Sequence, residues 1–236
     1  NSHYNSLQVD FHTQVKKDLT LQFGYTLSRS IDPVFGNNNG DLANVSDPYN
    51  RGYDYGLSNF DRTHVAFADF VYDLPIFRNS DNQLLKGTLG GWELSGVLTA
   101  ESGLPLNINL GGAQGSNGIP NATNRPNVGS TVSQPNTIND WIDPSGFSKP
   151  AYGQWGNLTK GAFRGPGRQN WNISLFKSFT FSESRGSRFE LRVETFNTFN
   201  HTQFNGVSST YTASDFGKVT SVYDPRVFQL AGKLYF

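Results

Sequence analysis

Arg188, Glu190, Arg192 and Glu194 alternate in sign at every second position, with Phe189, Leu191 and Val193 between them. Residues two apart on a strand share a face, so these charges would stand in a row roughly 6.6 Å from one another. Such a ladder can neutralise itself as a wetted wall, or it can line a path for polar solutes. With Leu175 opposite Val193, Phe176 comes beside Arg192 and Ser174 beside Glu194, which allows a cation over an aromatic ring. Asp10 and His12 also share a face, as an acid and base would. No nucleophile, oxyanion donor or third partner accompanies them, so catalysis is not expected. "FGNNNGD", residues 35–41, has the composition of a Ca²⁺ loop without its acidic spacing or closing glutamate. No metal and no cofactor is expected.

The elements that must position these residues are strands. Leu7, Val9, Phe11 and Val15 alternate with Ser6, Gln8, Asp10, His12 and Gln14 over residues 5–15. A turn at "KKD" then sets Val15 opposite Leu19 and leads into a second strand with Leu21, Phe23, Tyr25 and Leu27 on the same apolar face. A third strand over 63–74 is less clean, and its Asp69 and Asp73 mark Val65, Phe67 and Val71 as the wet side. After a connection at 75–87, Trp92, Leu94, Gly96, Leu98 and Ala100 oppose Glu93, Ser95, Val97, Thr99 and Glu101. Strand five (170–181), the turn "SESRG", strand six (187–197) and a final strand ending at Phe236 complete the series. Residues 31–62, 102–168 and 201–225 are long polar connections rich in Asn, Gly and Pro, with one short strand expected at 104–110. Connections this long inside a domain are usually functional.

Bulk composition agrees with one-sided strands. The chain has 236 residues, 36% hydrophobic and 14% aromatic, with 19 cationic and 19 acidic side chains. Balanced charge leaves no nucleic-acid footprint. Mean hydropathy is −0.49, and no apolar window is long enough for a transmembrane helix. Strands that alternate lipid-facing and lumen-facing residues need only about 10 residues each to cross a membrane, and they keep mean hydropathy low. Trp92, Trp171, Tyr25 and Tyr72 fall near strand ends on the apolar side, where an aromatic girdle would sit. Lys177 shares that side with Ile173 and Leu175. A lysine facing lipid at the midplane costs about 2–4 kcal/mol, so it must snorkel, lie near the periplasmic rim or mark a bulge.

The connections alternate short, long, moderate, long, short, long. Outer-membrane barrels pair short periplasmic turns with long extracellular loops. The expected fold is therefore all-β: an antiparallel transmembrane β-barrel segment of about seven to eight meandering strands. Seven strands cannot form a complete even-numbered barrel, so residues 1–236 are expected to be an arc of a larger one. The absence of methionine and the Asn at position 1 fit a chain processed or cut from something longer.

"QLAGKLYF", residues 229–236, is similar to the C-terminal assembly signal of bacterial outer-membrane barrels. Gln229, Leu234 and Phe236 match the pattern, while Ala231 stands where glycine is usual. The resemblance implies recognition by the barrel assembly machinery. "DRTHVAFADFVYDLP", "GGWELSGVLTAESGLPL", "NWNISLFKSF" and "FELRVETFNTFNHTQFN" resemble the C-terminal barrel of TonB-dependent outer-membrane receptors, the Oar-like branch in particular, over nearly the whole chain. That resemblance implies a barrel of about 22 strands in the cell outer membrane, with a plug and N-terminal domains lying outside this chain. It also implies contact with outer-membrane lipid, coupling to the TonB system through those missing regions, and energy-coupled uptake of a small solute. The alternatives are a non-transporting surface or adhesion barrel and a soluble, lectin-like β-sandwich.

Overall fold

The computed structural model of the protein describes residues 1–33, 46–112, 117–119, 124–182 and 186–236. The "FGNNNGD" stretch lies outside them, as does most of the "SESRG" turn. In chain order the strands are β1 (His3–Lys16), β2 (Leu19–Asp32), β3 (Gly56–Leu57), β4 (His64–Asp73), β5 (Trp92–Glu101), β6 (Pro105–Leu106), β7 (Asn127–Val128), β8 (Phe147–Ser148), β9 (Phe163–Arg164), β10 (Arg168–Ser182), β11 (Ser187–Phe196), β12 (Phe204–Val207), β13 (Val219–Val222) and β14 (Val227–Tyr235). An α-helix, α1 (Gln83–Leu89), lies between β4 and β5. Among the described residues no helix is long and apolar enough to cross a membrane.

Seven strands form one antiparallel sheet in the order β1-β2-β4-β5-β10-β11-β14, with β3 added beside the end of β2. Its register follows the alternation in the sequence. Phe11 pairs with Phe23, Phe23 with Ala68, and Ala68 with Leu98, which in turn faces Trp171. Leu175 pairs with Val193, and Val193 with Leu230, so one apolar surface runs unbroken across the sheet. The opposite surface carries His12 beside Gln22, Gln22 beside Asp69, and Glu190 beside Lys233. Asp69 and Asp73 thus lie on the polar surface.

The expected pairing of Val15 with Leu19 is corrected at the turn. Gln14 pairs with Thr20, but the register shifts by one and Lys16 takes Leu19. A two-residue turn at Lys17 and Asp18 is thereby closed, and Val15 is the extra residue of the bulge. The strand expected over 104–110 shrinks to β6, because Pro105 and the glycines around it limit the ladder. The connection expected to be plain over 75–87 contains α1, whose N-terminus is capped by Asn82 Oδ1, which accepts from Leu84 N at 3.0 Å and Leu85 N at 3.3 Å.

The buried core is not in the sheet. Among the described residues, every hydrophobic one that is fully buried, Ile108, Leu110, Ile119, Ile142, Phe147, Leu158 and Phe216, lies in the second or third long connection. Apolar wall residues such as Leu7, Phe11, Phe23, Phe228 and Leu230 remain exposed. A β-sandwich would bury them against a second sheet, and among the described residues no second large sheet exists. So wide an uncovered apolar surface requires a surrounding less polar than water.

Candidate functional site: the loop cap and the polar face of the wall

At the long-loop end the connections fold together into a cap. Ile108, Ile142, Phe147, Leu158 and Phe216 form its centre, with Leu106, Val128, Trp141, Phe163 and Tyr211 packed around them. Phe147 meets Phe163 at 5.5 Å and Phe216 edge-on at 5.3 Å between ring centroids. Burying each such side chain contributes about 1.5–3 kcal/mol. The β5–β10 ladder, whose last pair is Glu101 with Arg168, resumes above the wall as β6–β9, where Pro105 pairs with Arg164. The cap is therefore seated on the wall itself.

Three buried or partly buried ion pairs join the first long connection to the second. Lys160 Nζ lies 2.6 Å from Asp32 Oδ1. Arg125 lies 3.3 Å from Asp54 Oδ1. Arg164 binds Asp61 directly, and Asp61 also accepts from the Ser30 backbone N–H at 2.5 Å. Ion pairs of this kind specify an arrangement more than they stabilise it, since desolvating both charges offsets most of their attraction. Removing one partner is the costly event.

Arg125 is almost as enclosed as Lys160. Its guanidinium stacks on Tyr53 at 3.6 Å from the ring centroid, its Nε donates to Leu158 O at 2.8 Å, and its Nη2 donates to Tyr53 O. Burial pulls its pKa below the ordinary arginine value, with Tyr53 and Asp54 opposing that shift. Burial likewise pushes the Tyr53 hydroxyl up, against the pull of Arg125. Tyr53 also packs on Trp155 at 4.9 Å between centroids, so these two loop aromatics are engaged with each other and not presented to solvent as a pair.

These residues escaped the motif reading, yet the sequence holds a signal for them. The first connection (31–62) has five aspartates against two arginines, and the second (102–168) has five cations against two aspartates. Loops of opposite net charge attract one another.

On the polar face of the wall the ladder is in place. Arg188 Nε lies 2.8 Å from Glu190 Oε1, and Arg192 lies 3.7 Å from Glu194 Oε1. Arg188 stacks on Tyr235 at 3.9 Å, and Arg192 lies 5.6 Å from the Phe176 ring. Phe176, Glu190, Arg192 and Glu194, with Gln229, Lys233 and Tyr235, line a groove of about 270 Å³. Asp10 accepts from Gln22 Nε2 at 3.3 Å, and His12 pairs with Gln22 in the ladder.

At the rim between wall and cap, two clefts share Arg168 and Gln203 as a common wall. The larger, about 680 Å³, runs beside His64, Glu101, Trp141 and Phe204. The smaller, about 310 Å³, is lined by Asn170, Asn172, Tyr223 and Asp224. Gln203 Oε1 accepts from Gln169 N at 2.9 Å, sealing the strand edge that β11 does not reach. Arg168 lies over Tyr223 at 4.5 Å, and its buried Nε has no hydrogen-bond partner among the described residues.

The apolar face carries the predicted aromatics. Tyr72 and Trp92 stand at the short-turn end, while Tyr25 and Trp171 lie toward the cap. Tyr25 holds His64, with 2.7 Å between its hydroxyl and Nδ1. Gln229 pairs with Glu194 and Leu234 with Phe189 in β14, and Phe236 follows the strand fully exposed. Lys177 sits level with Trp92, the first residue of β5, and its ammonium donates to Gly90 O.

A one-sided antiparallel wall with an apolar outer surface, a charged inner surface and all its long connections at one end is the wall of a transmembrane β-barrel. The chain belongs to the outer membrane beta barrel domain family, whose profile matches residues 1–229. It is accordingly a protein of the bacterial outer membrane, with short turns in the periplasm and the cap outside the cell. No curated protein and no solved structure matches the chain.

Proposed function

We propose that this chain is the C-terminal part of the barrel of a TonB-dependent receptor of the Oar-like branch, which takes up a scarce small solute with energy relayed from the inner membrane. The cap carries this reading. A passive pore needs no packed core over its mouth, whereas a receptor gains affinity from a surface already ordered before the ligand arrives. The receptor-like stretches in β4, β5, β10 and β11 support the choice of branch. The two long sheet edges, β1 and β14, support a wall continued by further strands, since an unpaired backbone group in hydrocarbon costs several kcal/mol. On this reading the plug and the TonB-contacting region belong to parts of the protein outside this chain. The barrel assembly machinery receives the strand ending in Gln229, Leu234 and Phe236.

The work is binding and translocation, not catalysis. Arg168 is the first contact to examine, because it is braced on Tyr223 with a donor to spare and borders both rim clefts. The test is growth of cells carrying the intact protein on a panel of single limiting nutrients, with and without the inner-membrane TonB complex. Growth lost together with TonB, and reduced by Arg168→Ala, is the expected result. Binding to cells with no TonB-dependent growth would make the protein a surface adhesion barrel instead.

A further inference from the structure

The connection between β4 and β5 is the longest of those at the periplasmic end, and its helix exposes its apolar residues. Leu84 is 78% exposed, and Leu85, Leu89, Ile76 and Phe77 are also open. For a loop simply hanging in water this composition is wasteful. The connection is nevertheless well anchored. Leu74 N donates to Trp92 O at 2.8 Å, closing its neck. Gly90 N caps the helix on Lys86 O at 3.2 Å, and Gly91, at φ +68°, turns the chain into β5.

The position of this anchor decides which way the helix faces. Lys177 leaves β10 on the same side as Ile173 and Leu175, the lipid side. Its ammonium donates to Gly90 O, lying 5.5 Å from the Trp92 ring and 4.8 Å from the Phe179 ring. Lys177 as a whole is only 2% exposed. The C-terminal end of α1 therefore lies against the outside of the wall, over Lys177, and not over the pore. This also accounts for a cation on the lipid surface: the ammonium is satisfied by a carbonyl and enclosed by two rings. Beyond it α1 carries its exposed leucines next to the aromatic edge of the wall at Trp92 and Tyr72. Lys86 has no ion-pair partner among the described residues.

We propose that residues 76–89 form an interfacial foot, in which α1 lies in the periplasmic leaflet with Leu84, Leu85 and Leu89 among the phospholipid acyl chains. Lys86 meets the lipid phosphates, and Lys177 pins the foot to the wall. Amphipathic helices at an interface sit about 5–10 Å into the boundary between headgroups and chains. The inference needs only the outer-membrane location and does not depend on the receptor reading.

The chain contains no cysteine, so single labels can be placed cleanly. Leu84→Cys and, as a control in the cap, Tyr49→Cys, which is 100% exposed, carry an environment-sensitive fluorophore. The intact protein is reconstituted in vesicles of phosphatidylethanolamine and phosphatidylglycerol containing phospholipid brominated high on its acyl chains. The expected result is blue-shifted emission from position 84, quenched by the brominated lipid and protected from aqueous iodide, with the reverse at position 49. Equal iodide quenching at both positions overturns the proposal. So does a site at 84 shielded from iodide yet untouched by bromine, since its cover would then be protein.

Discussion

Lys160 and Asp32 are separated by 128 residues, yet their side chains meet at 2.6 Å. The lysine side chain is 0% exposed and the aspartate 10%. The pair fastens the second long connection to the end of β2, at the short ladder in which Asp32 pairs with Gly56 of β3. Asp32→Asn leaves a buried ammonium without its carboxylate, a loss of about 3–5 kcal/mol. The expected outcome is local: limited proteolysis within 102–168 accelerates, while the barrel keeps its heat-modifiable migration on gels. If both signals fail together, wall and cap form one cooperative unit.

Tyr53 gives the cap a dependence on alkaline pH. Burial holds its hydroxyl above the ordinary tyrosine value, with Arg125 opposing the shift. The neutral hydroxyl is thus favoured in the folded cap, while an unfolded chain would ionise at about pH 10. Stability from this source is complete below that pH and is lost as pH rises from there through the folded value. Protease resistance of the cap, followed from neutral to strongly alkaline pH, should fall more steeply in the native protein than in Tyr53→Phe. Parallel curves would assign the transition to another group. At neutral pH the variant loses two hydrogen bonds of the hydroxyl, the one it donates to Asn124 Oδ1 at 3.3 Å and the one it accepts from Arg125 N at 3.1 Å, each worth about 1 kcal/mol.

What the sequence showed and what it concealed divide at the membrane surface. Strands in the wall obey a period of two because one face meets lipid and the other water, so the pairing of Phe176 with Arg192 could be placed from the turn alone. The Val15 position was misjudged because a bulge costs one residue and leaves no mark in the alternation. In the cap, Ile108 and Ile142, 34 residues apart in the second long connection, meet Phe216 from the third, and they have no period. Their neighbours, and the partners of Arg125 and Lys160, are set by three-dimensional closure. Only the opposite charge of the two loops foreshadowed it. Lys177 was recognised as anomalous, but its acceptor, Gly90 O, belongs to a short helix held by an Asn cap and broken by glycine.

Gly24 tests the inner surface of the wall. It pairs with Phe67, whose ring lies across it so closely that a Cβ would overlap the ring atoms. Aromatic cover of a strand glycine restores packing where the backbone has no side chain of its own. Gly24→Ala must displace that ring, at about 1–3 kcal/mol. Adding Phe67→Ala removes the obstacle, so the double variant should be less destabilised than the sum of the two single ones. Thermal unfolding of the three variants in detergent measures the coupling, and simple additivity would show that the ring moves aside freely.

The charge ladder allows a prediction that separates its two readings. Arg188 with Glu190 and Arg192 with Glu194 are pairs along one strand, and the arginines are 39% and 52% exposed. Solvent screening at that exposure leaves each pair little net stabilisation. Neutralising both partners, as in Arg192→Gln with Glu194→Gln, should therefore shift the unfolding temperature little, and the shift should shrink further as salt is raised. A loss of several kcal/mol would mean that the ladder holds β10, β11 and β14 together. On the receptor reading proposed above, the informative case is stability unchanged while growth on a limiting nutrient declines. That result would move Arg192 and Glu194 from wetting the wall to guiding solute past it, and would make Lys233, their neighbour across the groove, the next residue to alter.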